Sequence, residues 1–302
     1  MAILVGENTR ALVQGITGRE AATFTRGMID YGTRVIAGVT PGKGGQEVHG
    51  VPVFNTVRKA VDATDPNVAV VSVPPAFAKD AVLEAIDAGI KLVNVFTERV
   101  PRGDVVQTMN FARQHGARVV GPNSLGIVSP GKGKVGAIGG PVDETCRAYT
   151  PGPVAILSRS GGMCTETCSL LTVHGIGQST AINIGGDPIV GSSFVDLLPL
   201  LEQDDQTWVI VLFCEPGTVQ EETVARFVKE TGYSKPIVAF VAGGFVDDMP
   251  GTRFGHAAVI VHGDSGSVRG KQRAMREAGI TVVDFHSEIV AAVREHLDRM
   301  GT

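Results

Sequence analysis

Cysteine is sparse in this chain. Cys146, Cys164, Cys168 and Cys214 are the four present among 302 residues, and no two stand in a Cys-x-x-Cys spacing. That excludes a disulfide framework as the basis of the fold and gives no zinc site, so the sequence predicts no bound metal. Long apolar runs are also missing. Hydrophobic residues make up 43% of the chain, but Gly, Pro or charged residues interrupt every run well short of the ~18 residues a bilayer requires. The opening Met1-Ala2-Ile3-Leu4 lacks the basic start and apolar stretch of a secretory signal, and a cytoplasmic location is expected. Nor is there an excess of one charge: Lys and Arg are scattered and the formal net charge is −4, which leaves no footprint for nucleic acid or an anionic membrane. No Gly-x-x-x-x-Gly-Lys-Ser/Thr loop, short-period repeat or low-complexity tract occurs.

What the chain has instead is glycine, 39 residues of it against 5% aromatics. This balance suits an architecture of tight βα turns that bring backbone close to a ligand. Short β-branched runs alternate with amphipathic stretches. Strands are predicted at Arg10–Gln14, Arg34–Val39, Val68–Val73 and Leu92–Phe96, with helices between them, which reads as βαβ units and a parallel sheet. A Gly/Pro-rich passage from Gly121-Pro122-Asn123 to Pro151-Gly152-Pro153 marks a boundary. The alternation then restarts at Val154–Leu157, Ser179–Ile184, Val209–Phe213, Ile237–Val241 and Thr281–Val283. The expected organisation is α/β throughout: a Rossmann-like domain over 1–122, a linker over 123–152, and a second open parallel-sheet domain over 153–302.

Several stretches carry chemistry. Gln14-Gly15-Ile16-Thr17-Gly18-Arg19-Glu20 lies between a strand and a helix, where free N–H groups and the helix dipole can hold a phosphate. It is not the full dinucleotide fingerprint, since Ala21 stands where a third glycine would, and a tight turn without a ligand is the alternative. Thr40-Pro41-Gly42-Lys43-Gly44-Gly45 follows the second strand, where an NAD-binding domain places an acid; a lysine there favours a ligand with extra phosphate and disfavours a dehydrogenase. Val154 to Gly162 turns from a buried strand into a helix and should face an anion. Glu215 lies just past the end of a strand, where open α/β sheets place functional groups. Gly185-Gly186-Asp187-Pro188 reads equally well as part of a functional site or as a strand-end turn with Asp187 as a helix cap.

Gly-Val-Thr-Pro-Gly-Lys-Gly-Gly at 38–45, Gly50-Val51-Pro52-Val53-Phe54-Asn55 and Arg253-Phe254-Gly255-His256-Ala257-Ala258 together resemble the α subunits of succinyl-CoA synthetase, over nearly the whole chain. The resemblance implies a CoA-binding Rossmann-like domain followed by a flavodoxin-like ligase domain. It implies that Thr17, Gly18, Arg19, Glu20, Lys43, Phe96, Thr97 and Glu98 contact CoA, and that His256 is the residue phosphorylated. Glu215 would hydrogen-bond that histidine and fix its tautomer. Ser160, Gly161 and Gly162 would hold the phosphoryl group or the acid. A swinging His256 loop is implied, with Gly243, Gly244, Gly251 and Gly255 as its small residues. The implied activity makes an acyl-CoA from a di- or tricarboxylic acid, CoA and ATP or GTP, through acyl-phosphate and phosphohistidine intermediates. The nucleotide and Mg2+ would sit on an ATP-grasp-type β subunit, in an αβ or α2β2 assembly.

The chain departs from the family at Arg159-Ser160-Gly161-Gly162-Met163-Cys164-Thr165-Glu166, where an aromatic residue near the substrate is missing. Ser-Gly-Gly-Met there is similar to ATP-citrate lyase and citryl-CoA synthetase. The substitution puts the acid in question, with malate or citrate as alternatives to succinate. A CoA-binding regulator without catalysis is the alternative of another class.

Overall fold

The computed structural model describes residues 3–249, 256 and 266–301. The first half is a seven-stranded sheet built from β1 (Arg10–Gln14), β2 (Arg34–Val39), β3 (Glu47–Val48), β4 (Val51–Phe54), β5 (Val68–Val71), β6 (Leu92–Val95) and β7 (Arg118–Val120). Its strand order is β3-β4-β2-β1-β5-β6-β7, parallel throughout except for β3 against β4. Helices α1 (Arg19–Asp30), α2 (Val57–Thr64), α3 (Pro75–Asp87) and α4 (Arg102–Gln114) connect the strands. Setting β3 aside, this is the order of a Rossmann sheet, whose direction reverses between β1 and β5.

The second half contains β8 (Gly126–Ser129), β9 (Gly133–Gly136), α5 (Val142–Ala148), β10 (Pro151–Ser158), α6 (Gly161–Val173) and β11 (Gln178–Asn183). These are followed by α7 (Phe194–Glu202), β12 (Val209–Cys214), α8 (Gln220–Thr231), β13 (Ile237–Val241), α9 (Val268–Glu277), β14 (Thr281–Val283) and α10 (Ile289–Arg299). The sheet runs β14-β13-β12-β10-β11-β8-β9, with a parallel flavodoxin-like core and β8 and β9 antiparallel at one edge. The strands expected after residue 153 are parallel to one another as predicted, and the sheet is mixed because β8 and β9, from the passage expected as a linker, extend its edge. Its direction reverses between β10 and β12.

Periodicity explains most of these elements. Every residue of β5, β11 and β12 is buried, as expected of strands covered on both faces by helices. Helix α1 buries Ala21, Phe24, Thr25 and Met28, and α6 buries Cys164, Thr167, Cys168 and Leu171. Both sets follow the i, i+3, i+4, i+7 stripe of a helix lying on a sheet. Thr56 caps α2 by accepting from the Lys59 N–H, and the chain leaves that helix through Asp65 in the left-handed region.

The passage expected as a linker, 123–152, holds β8, β9 and α5, and β8 pairs with β11. The glycines read as linker punctuation are hairpin residues. Gly126 has φ +130°, and a Cβ there would sit 1.9 Å from the Val135 carbonyl oxygen, so the two strands approach closely because no side chain intervenes. This hairpin also joins the halves. The Thr33 hydroxyl donates to the Lys134 carbonyl at 2.7 Å and accepts from the Lys134 N–H at 2.9 Å, while Phe24 and Met28 share a core with Val135. The wholly buried Lys134 amine reaches the Gly140 carbonyl and the Thr145 hydroxyl, and burial pushes its pKa down to about 8.

Candidate functional site

Two groups of residues gather at the two points where the sheets reverse direction. In the first, β1 is followed by Gly15, whose φ is +83° and whose Cβ position would lie 2.0 Å from the carbonyl oxygen of Ser72, just past β5. Only glycine lets these strand ends approach so closely. The turn delivers Gly18 as the N-cap of α1, with no side chain capping it. The first N–H groups of α1 thus lack a side-chain acceptor, an arrangement open to an anionic ligand. A cavity of about 650 Å³ lies in front of them, lined among others by Gly18, Arg19, Glu20, Phe96, Thr97 and Glu98. Thr97 is fixed by donating to the Val73 carbonyl at 2.7 Å, and Phe96 packs on Phe24 with ring centroids 5.4 Å apart.

Thr17 and Lys43 do not line that cavity. The Thr17 hydroxyl meets that of Thr40 at 3.2 Å, and the Thr40 carbonyl accepts from the Lys43 N–H at 3.0 Å, so the turn after β1 is tied to the loop bearing Lys43. The loop is held further by Gly44 N–H donating to Asn55 at 2.9 Å. Lys43 itself is exposed and, among the described residues, has no ion-pair partner.

At the second reversal point, Glu215 follows β12 and accepts a hydrogen bond from His256 Nδ1 at 2.7 Å. A carboxylate only accepts, so Nδ1 carries the proton and, in the neutral ring, the lone pair is on Nε2. Glu215 is largely buried, whereas the imidazole remains 31% exposed. The hydrogen bond to Glu215 lifts the His256 pKa above its ordinary value against the opposing effect of burial; the charges of Glu215 and Asp187 raise it further and Arg159 lowers it. Gly186 lies under the ring, and a Cβ there would come within 2.7 Å of it. Burial raises the Asp187 carboxyl pKa, partly offset by a hydrogen bond from Asn123 Nδ2 at 3.2 Å.

Ser160 is the N-cap of α6, with its hydroxyl accepting from Met163 N–H at 3.4 Å. Gly161 packs on Leu125, which a Cβ would approach to 2.4 Å, while Gly162 faces open space. Asn123 and Leu125 both line the first cavity, so they link it to Asp187 and to the start of α6. Gly243 and Gly244 open a short 3-10 turn; Gly251, Arg253, Phe254, Gly255, Ala257 and Ala258 lie outside the described residues.

Sequence reasoning assigned no site role to Asn123, Leu125 or Arg159, and offered a helix cap as one reading of Asp187. Asp187 caps no helix, because α7 begins later, at Phe194, behind its own cap Ser193. The available signal was the Gly-Gly-Asp-Pro string itself, and for Arg159 a cation at the end of an otherwise apolar strand.

One site is a helix N-terminus beside a cavity, suited to an anionic ligand, and the other a carboxylate-held imidazole, suited to nucleophilic or acid–base chemistry. Residues 6–99 match the CoA binding domain family, and residues 157–282 match the CoA-ligase family. The chain is 44% identical over 298 residues to the α subunit 1 of the ADP-forming succinate–CoA ligase of Archaeoglobus fulgidus, covering 99% of each. It is also 44% identical to the corresponding α subunit of Methanothermobacter thermautotrophicus, covering 98% of this chain and 97% of that one. Among solved structures it resembles ATP citrate lyase from Methanothrix soehngenii in complex with citrate and coenzyme A, with TM-score 0.91 and 26% identity. That match covers 99% of this chain and 52% of the lyase, so this chain spans about half the lyase's length. The chain belongs to the succinate–CoA ligase α-subunit family, and its activity is that of a nucleotide-dependent acid–CoA ligase.

No helix among the described residues is long and apolar enough to cross a membrane.

Proposed function

We propose that His256 carries the phosphoryl group between a nucleotide site on an ATP-grasp-type β subunit and the CoA site of this chain. The observation that carries this reading is the 2.7 Å bond from His256 Nδ1 to Glu215, with the ring seated on Gly186. Glu215 holds the Nδ1 proton and leaves Nε2 as the nucleophile. Nε2 attacks the terminal phosphorus of ATP or GTP, held with Mg2+ on the β subunit, and the diphosphate leaves. The carboxylate of the acid then takes the phosphoryl group from Nε2, giving an acyl phosphate. CoA sulfur attacks the acyl carbon and phosphate departs.

Residues 1–122 are assigned to CoA. Thr17, Gly18, Arg19 and Glu20 would contact it at the start of α1, Phe96, Thr97 and Glu98 after β6, and Lys43 would meet a phosphate as a point charge. Residues 153–302 carry the phosphohistidine chemistry, with Ser160, Gly161 and Gly162 offering the α6 N-terminus to the phosphoryl group or the acid. Succinate is the acid named for the relatives at 44% identity. The open space at Gly162 favours a second reading, a bulkier or hydroxylated acid such as citrate or malate.

Intact mass of the chain, incubated with its β subunit and Mg-nucleotide, tests this. A phosphoryl adduct should form on the natural chain and not on His256→Asn. CoA with succinate, malate or citrate should then discharge it, and the acid that does so is the substrate. Retained CoA binding with no adduct would leave a CoA-binding regulator.

A further inference from the structure

We propose that Arg159 is a positioning residue, a buried cation supplying the counter-charge for the phosphoryl group that His256 carries. The proposal rests on the phosphohistidine reading above. Arg159 directly follows β10 at the reversal point and is 0% exposed. Its guanidinium donates to the Thr218 hydroxyl at 3.0 Å and to the Asp187 carbonyl at 3.5 Å, and its Nε has no partner. Among the described residues it forms no ion pair. An arginine is always charged, so among the described residues a full positive charge is buried here against neutral oxygens alone, an arrangement that ordinarily costs stability.

The neighbouring buried cation shows what compensation looks like. Lys271, also 0% exposed, pairs with Glu221 and, at 3.0 Å, with Glu222, and donates to the Thr218 carbonyl at 3.0 Å. Thr218 stands between the two cations in a left-handed conformation with φ +54°, its carbonyl towards Lys271 and its hydroxyl towards Arg159. Among the described residues, one cation has two carboxylates and the other has none.

Among the described residues, three charged groups act on the His256 imidazole: Glu215 from the end of β12, Asp187 from beyond β11 and Arg159 from the end of β10. Two are acids. A phosphoryl group adds a charge of about −1.5 to −2 beside them. The end of α6 offers about half a positive charge. Arg159 supplies a whole one, and through the Asp187 carbonyl its guanidinium reaches the backbone next to Gly186, on which the ring rests. During transfer the Nε2 lone pair forms the N–P bond. The bond from phosphorus to the departing diphosphate oxygen breaks with its electron pair on that oxygen, while Nδ1 keeps its proton. No proton neutralises the new anion, so a fixed cation is required.

The test is the rate of adduct formation on the chain assembled with its β subunit, measured against pH for the natural protein, Arg159→Gln and Arg159→Lys. The Gln variant should be phosphorylated about 10²-fold more slowly, in the range found when one preorganised charge-stabilising donor is removed. Its acid limb should move to higher pH, because the charge that lowers the imidazole pKa is gone. Lys should restore the acid limb and part of the rate, which a purely structural role would not do. A Gln variant with an unchanged rate and pH profile, or a Lys variant no better than Gln, would overturn the proposal. If Gln does not fold, Thr218→Val removes one anchor of the guanidinium, and a natural rate in that variant is the overturning result. A natural chain that never takes an adduct defeats the phosphohistidine reading itself, whereas an adduct unaffected by Arg159→Gln defeats only the role of Arg159.

Discussion

The two reversal points share one architecture and differ in dielectric setting. At β1/β5 the glycine turn presents an uncapped helix N-terminus to an open cavity, and the charged groups around it, Lys43 and Glu98 among them, stand in solvent. At β10/β12 the helix start is capped by Ser160, and Arg159 and Glu215 are buried. Exposed charges are screened and contribute little each, which suits a substrate that must bind and leave. Buried charges act strongly on their neighbours and cannot rearrange cheaply, which suits bond making at a fixed ring. The same strand-end geometry therefore serves binding in one half and chemistry in the other, and the difference lies in what surrounds the turn.

Substitutions of matched type can sharpen or break that contrast. The largest effect is expected from Gly186→Ala. The backbone there is not left-handed, so the sole consequence is a methyl group within 2.7 Å of the His256 ring, which must leave its seat and its bond to Glu215. Phosphorylation should fall by at least about 10²-fold, with CoA affinity unchanged by calorimetry. Weakened CoA binding in this variant would show that the two sites are not separable in this way.

Glu215→Gln comes next, with a fall of about 10²-fold in the phosphorylation rate, the scale of a lost acid–base partner. The direction of its pH effect follows from the hydrogen bond. Glu215 raises the imidazole pKa, and the ring must be neutral at Nε2 to attack, so the natural rate climbs as pH rises through that raised value. With the carboxylate gone the midpoint moves to lower pH, the opposite direction from Arg159→Gln. A midpoint that stays put would mean that Glu215 does not govern the ring.

The fold was largely legible because burial on both faces writes strands as unbroken apolar runs, as in Val68–Val71 and Val209–Cys214. Where glycine does two jobs the reading failed. Gly126 and Gly131 punctuate like a linker, yet they belong to a hairpin whose buried residues Ile127, Val128 and Val135 are too few to announce a strand. The hairpin of β3 and β4 was lost to the same brevity. His256 was named through resemblance and Glu215 also from its place past a strand end, but the contact between them joins residues 41 apart. Gly186 and Arg159 matter for where their backbone and charge end up, and neither packing under a ring nor the lack of a carboxylate partner leaves a pattern along the chain.

The smallest expected effect tests the solvent-exposed side. Lys43 sits on a loop tied to the phosphate-facing turn through Thr40 and Thr17, and it has no competing acid among the described residues. Lys43→Ala should weaken CoA binding by about 10-fold, or about 1.4 kcal/mol, without slowing phosphorylation of His256. Because the ammonium is exposed, the deficit should shrink as ionic strength rises and the Debye length falls from ~10 Å at 0.1 M to ~3 Å at 1 M. Calorimetry of both proteins at low and high salt measures this directly. A deficit independent of salt would mean that CoA binding encloses Lys43 away from water, and the contrast between a screened binding site and a buried reaction site would no longer hold.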